Sequence, residues 1–66
     1  MTLEDQIIAA IDELWLEGDK VSLHNIWLQC TYDFHDVRIT LKRMEDDNII
    51  YRDNRNYIQT SEISPK

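Results

Sequence analysis

The chain has 66 residues, 42% of them hydrophobic and 30% charged, with a formal net charge of −6. That length holds one domain and no second core, and so small a domain buries only about 60% of its unfolded surface. A single cysteine excludes an internal disulfide framework and any four-cysteine metal site, and no apolar run approaches the ~20 residues that span a bilayer.

The N-terminal half is the acidic half. Residues 1–30 carry six acids (Glu4, Asp5, Asp12, Glu13, Glu17, Asp19) against one base, Lys20. Thr2 suits a helix N-cap, with Asp5 three residues on and acids where a helix start favours them. Leu3, Ile7, Ala10, Ile11 and Leu14 recur at helical spacing, and Gly18, the only glycine, suits a left-handed helix end. This predicts a first helix over Leu3–Glu17. The apolar arc also reaches Ile8 and Trp15, with Leu16 on the far side. That overwide stripe marks Ile8, Trp15 and Leu16, together with Leu28, as candidates for a partner surface or for homodimerisation through the first helix. Completion of a small core is the favoured role for Ile8 and Trp15.

Val21 is a lone β-branched residue suited to bridge a later hairpin, and Ser22 suits the N-cap of a short second helix. Leu23, Ile26, Trp27 and Cys30 share one face of that helix, whereas Leu28 points away. Asp33 can cap a third helix from about Phe34 to Asp47, with Val37, Thr40, Leu41 and Met44 inward. Asn48 tolerates the left-handed conformation at its end. Ile49–Arg52 and Tyr57–Thr60 then read as strands around the turn Asp53-Asn54-Arg55-Asn56. The tail, residues 61–66, is polar and expected to fray. The expected fold is mainly α with a small β-hairpin, a single domain over residues 1–60.

The run Val37-Arg38-Ile39-Thr40-Leu41-Lys42-Arg43-Met44-Glu45-Asp46-Asp47-Asn48-Ile49-Ile50-Tyr51-Arg52 resembles a winged-helix pattern, V-x-x-A-L-x-x-L-E-x-x-G-L-I-x-R. Thr40 stands for the small residue, Met44 for leucine and Asn48 for glycine. Ser22-Leu23-His24-Asn25-Ile26 is similar to the start of that family's second helix. The resemblance covers about Val21–Thr60 and implies a three-helix winged helix-turn-helix. It departs on the return strand, where Gln59 replaces an apolar residue, so Ile58 is a candidate for the core and the register is open.

The resemblance also implies a docking face. On the third helix, steps of 100° per residue place His35, Arg38, Ile39, Lys42, Arg43 and Asp46 opposite the inward stripe. In a winged-helix DNA reader this face enters the major groove. Arg38 would then reach guanine, Lys42 a phosphate and Ile39 a thymine methyl, while Arg52, Asn54 and Arg55 would follow the backbone or minor groove. A solvated, charge-mixed helix surface is the competing reading, because Asp36, Asp46 and Asp53 lie among the cations. So few cations bind weakly as a monomer, and a dimer would double the contacts.

Other chemistry is thinly supported. His24, Cys30, Asp33 and His35 lack a ligand spacing, and no glycine-rich loop or nucleophile elbow is present, so neither metal, cofactor nor enzymatic activity is expected. Tyr32, Phe34, Tyr51 and Tyr57 could stack on bases, but packing explains their positions better. The expectation is a cytoplasmic or nucleoid-associated transcriptional regulator that binds duplex DNA, without a signal peptide or membrane span. The rival is an acidic winged-helix module, of the sort a phage or mobile element encodes, that docks on a protein partner.

Overall fold

The computed structural model describes residues 2–54 and 56–59. Arg55, the residue expected at the hairpin tip, lies outside them, as do Thr60 and the polar tail. Three helices precede a two-stranded antiparallel hairpin: α1 (Leu3–Glu17), α2 (Leu23–Leu28), α3 (Phe34–Asp46), β1 (Ile50–Asp53) and β2 (Asn56–Gln59). This order is compatible with a winged-helix layout. No helix among the described residues is long and apolar enough to cross a membrane.

Local caps set the helix limits. Thr2 Oγ1 accepts from the Asp5 amide at 3.2 Å, and Ser22 Oγ accepts from the Asn25 amide at 3.2 Å. Gly18 sits at φ 75°, and the amides of Gly18 and Asp19 donate back to Trp15 and Leu14. The same two-bond closure ends α3, where Asn48 at φ 63° and Ile49 donate to Glu45 and Met44. Asp33 behaves differently from the expectation. It occupies the cap position of α3 and its carbonyl receives the Val37 amide, but its side chain makes no capping hydrogen bond.

The core draws on every element. Ile7, Ala10, Ile11 and Leu14 of α1 meet Ile26 of α2, Val37, Leu41 and Met44 of α3, and Val21, Ile50 and Tyr57. Thr40, expected inward, is only half-buried. Ile8 packs partly buried against the core, as expected. Trp15 is outside the buried core and remains 51% exposed, although it lies beside Ile58 of the hairpin.

The hairpin pairs more tightly than the sequence suggests. Arg52 lies opposite Tyr57 and Asp53 opposite Asn56, so each strand runs one residue further into the expected turn. Asn54 adopts φ 57°, a backbone twist that suits a two-residue connection between right-twisted strands. Ile49 belongs to the α3 closure and lies outside the strand. Tyr57 and Ile58 are both buried, one on each hairpin face, and Ile58 lies beside Ile11 and Trp15. Gln59, the polar departure from the family pattern, ties the hairpin to α1. Its Nε2 donates to Asp12 Oδ1 at 2.6 Å and to the Ile8 carbonyl at 3.4 Å.

Val21 bridges α1 to the hairpin as anticipated. Its carbonyl accepts the Tyr57 amide at 2.9 Å, and its own amide donates to Asn56 Oδ1 at 3.1 Å. Val21 is buried, so losing that acceptor leaves an amide without a partner. Asn56→Ala is expected to cost about 1–3 kcal/mol, read as a drop in the urea midpoint at unchanged slope. Wild-type stability in this variant would rule out a structural role for the bridge.

Candidate nucleic-acid interface

The outer flank of α3, the first turn of α2 and the hairpin enclose an open groove of about 370 Å³. Its walls are Leu23, Arg38, Ile39, Lys42, Glu45, Arg52 and Tyr57. Helical periodicity puts Arg38, Lys42 and Glu45 on one flank of α3, since they follow each other at four- and three-residue spacing. Strand register puts Arg52 opposite Tyr57, and the guanidinium carbon stands 5.7 Å from the Tyr57 ring centroid. That contact orients Arg52 through the ring face and leaves its N–H donors unspent.

The electrostatics of the groove differ from those of the whole chain. Three cations face one carboxylate, Glu45, in a molecule of net charge −6. Asp36, Asp46 and Asp53, the acids interspersed with these cations in the sequence, do not line it. Among the described residues, no ion pair or side-chain hydrogen bond engages Arg38, Lys42 or Arg43. The cations are therefore solvated and available. Ile39 is 53% exposed between them, an apolar group turned partly to solvent.

Four of the residues singled out in the sequence, Arg38, Ile39, Lys42 and Arg52, are thus brought together. His35 and Arg43 are exposed on α3 but outside the groove walls, and Asn54 stands exposed at the hairpin end. Leu23 and Glu45 were not anticipated, and Tyr57 was considered for base stacking but read as packing. Glu45 had a legible signal, because the same 100° stepping places it next to Arg38. Leu23 had none, since it reads as core, and Tyr57 is buried in the core as the packing reading has it while also walling the groove.

The other candidates separate by location. Leu16 and Leu28 are exposed at 83% and 61%, on α1 and α2 respectively. Phe34 is partly exposed and meets Trp27 edge to face at 5.5 Å, which anchors the α2–α3 turn as the packing reading requires. Cys30 packs half-buried against the core, and burial raises its thiol pKa. The described residues include no group of three His, Cys, Asp or Glu placed to hold a metal ion. Compared with family models, curated proteins and solved structures, the chain matches none.

Proposed function

We propose that the chain is a small winged helix-turn-helix protein that binds duplex DNA with α3 and the hairpin, as a non-enzymatic transcriptional regulator. The observation that carries this reading is the groove itself. Arg38, Lys42 and Arg52 converge there from two elements, without ion-pair partners among the described residues, on a chain that is otherwise acidic. Their roles follow from chemistry. Arg38 offers a planar fork suited to guanine, Lys42 and Arg52 offer charge to phosphates, and Ile39 offers an apolar surface to a thymine methyl.

Salt dependence tests the reading. The two phosphates met by Lys42 and Arg52 predict a slope of log K against log salt of about −1.8, or roughly a twelvefold loss of affinity between 50 and 200 mM. A fluorescence-anisotropy titration with random duplex at several salt concentrations measures this directly. A flat response, or no binding at the lowest salt, rejects DNA as the ligand.

A second reading has its own support in the exposed leucines and the acidic surface of α1, which suit a protein-docking module. It predicts no duplex binding at low salt and unchanged partner binding after substitutions in the groove. The same titration separates the two.

A further inference from the structure

Glu45 is the misfit in the groove. It is the single carboxylate among walls that carry Arg38, Lys42 and Arg52, in a site that receives a polyanion on the DNA reading. Its side chain is half-buried, whereas those three cations are exposed.

Neither ordinary reason for a glutamate accounts for it. Among the described residues no ion pair or side-chain hydrogen bond engages Glu45, although Lys42 is one turn away on the same helix. Nor does it help the helix form. It lies in the last turn of α3, where the helix dipole favours cations and disfavours carboxylates.

What remains is the space it faces. Seven residues return an α-helix to within about 20° of the same bearing and advance it about 10.5 Å. Glu45 therefore shares the flank of Arg38, two turns further on, with Ile39 and Lys42 between them. For a helix lying along the major groove, that advance equals about three base-pair steps of about 3.4 Å. With Arg38 on a guanine, the Glu45 carboxylate meets a base edge about three pairs away.

The chemistry of that edge is restricted. An ionised carboxylate only accepts hydrogen bonds. Guanine presents the acceptors N7 and O6 to the major groove and thymine presents O4, so both repel it. Adenine offers its N6 amino group with the acceptor N7 alongside. Cytosine offers the N4 amino group with no acceptor of its own beside it.

We propose that Glu45 is a specificity-determining residue of the groove, accepting a hydrogen bond from the N4 amino group of a cytosine about three base pairs from the guanine read by Arg38. The inference rests on the DNA reading and sharpens it, from duplex DNA in general to duplexes that carry this pair of bases. It also gives the carboxylate a purpose in a cationic groove. Repulsion of phosphates weakens binding to every duplex, and the cytosine contact offsets it only at the right site.

Binding-site selection from a randomised duplex pool, with the wild-type chain and two variants, tests the proposal. Wild type should recover cytosine about three pairs from a preferred guanine. Placing guanine at the cytosine position of a recovered duplex should lower affinity about tenfold. Glu45→Gln, nearly isosteric, should move the preference there from cytosine to adenine, because a carboxamide pairs with adenine N6 and N7. Glu45→Ala should bind the original and guanine-substituted duplexes equally. Both variants should bind random duplex more tightly than wild type, since a repelling charge is gone. A purely structural role for Glu45 would change all duplexes alike. Circular-dichroism melts verify folding, and if Glu45→Ala is unfolded the direction of the Glu45→Gln switch decides alone. A wild type that selects no base at that spacing, or a cytosine preference unmoved by substitution, overturns the proposal and leaves duplex binding standing. No binding by wild type at low salt rejects the DNA reading and the proposal together.

Discussion

Ile26→Ala is expected to leave the chain largely unfolded at physiological temperature. Helix α2 has six residues, far too few to be helical alone, so its position depends on what it buries. Ile26 is its one fully buried side chain, packed into the core that α1, α3 and the hairpin share. Truncating a buried isoleucine to alanine costs about 2–5 kcal/mol through lost transfer energy and the cavity left behind. A domain of this size has only about 3–10 kcal/mol in total, at the usual stability per residue. The loss should appear as a fall in Tm of roughly 15–25 °C, or as the absence of a cooperative transition. His24→Ala, two residues earlier on the exposed side of the same helix, should change stability by only about 0.5 kcal/mol. If Ile26→Ala melts within a few degrees of wild type, α2 is not an integral part of the fold.

The importance of Ile26 was readable from spacing, and so was most of the helical architecture. The limits of α1 came out at Leu3 and Glu17 because both ends are encoded locally, by Thr2 as a hydroxyl acceptor and Gly18 as a residue free to take φ 75°. Asn48 likewise marked the end of α3. The hairpin was harder. Tyr57 and Ile58 are adjacent and both apolar, so alternation carries no parity signal and the register cannot be read from them. Contacts distant in sequence hold it in the structure. Asn56 reaches Val21, Tyr57 donates to the Val21 carbonyl, and Gln59 reaches Asp12 and the Ile8 carbonyl. Gln59 looked like a flaw in the family pattern and proves to be a tie to α1.

The candidate site divides along the same line. Arg38 and Lys42 were identifiable because a helix has a fixed angular step and their flank is opposite the buried stripe. Which side of α3 the hairpin would cover depends on tertiary packing, so the convergence with Arg52 could not be read in advance. The acids posed the reverse problem. In sequence, Asp36, Asp46 and Asp53 lie close to the cations and suggest neutralisation, yet none of them lines the groove. Glu45 does, and it is the carboxylate that any bound phosphate must avoid.

The double reversal Arg38→Glu with Lys42→Glu should remove duplex binding altogether while leaving the fold intact. Both side chains are exposed and engage no ion pair among the described residues, so their loss should change stability by about 0.5 kcal/mol or less. The effect on binding is of a different order. The guanine contact of Arg38 and the phosphate contact of Lys42 vanish, two carboxylates join Glu45 in the groove, and each reversal shifts net charge by two units, from −6 to −10 in all. Affinity at low salt should fall more than about a hundredfold, and any residual binding should have a slope reduced by at least about 0.9. Arg43→Glu serves as the matched control. It makes half the charge change on the same helix but outside the groove walls, so it should retain most of the salt slope. The single changes then divide the roles. Lys42→Ala should weaken all duplexes alike and lower the slope by about 0.9, whereas Arg38→Ala should cost about 1–3 kcal/mol at a preferred site and relax discrimination between sites. Equal losses for Arg43→Glu and the groove reversals would mean that bulk charge, rather than this groove, governs association with DNA.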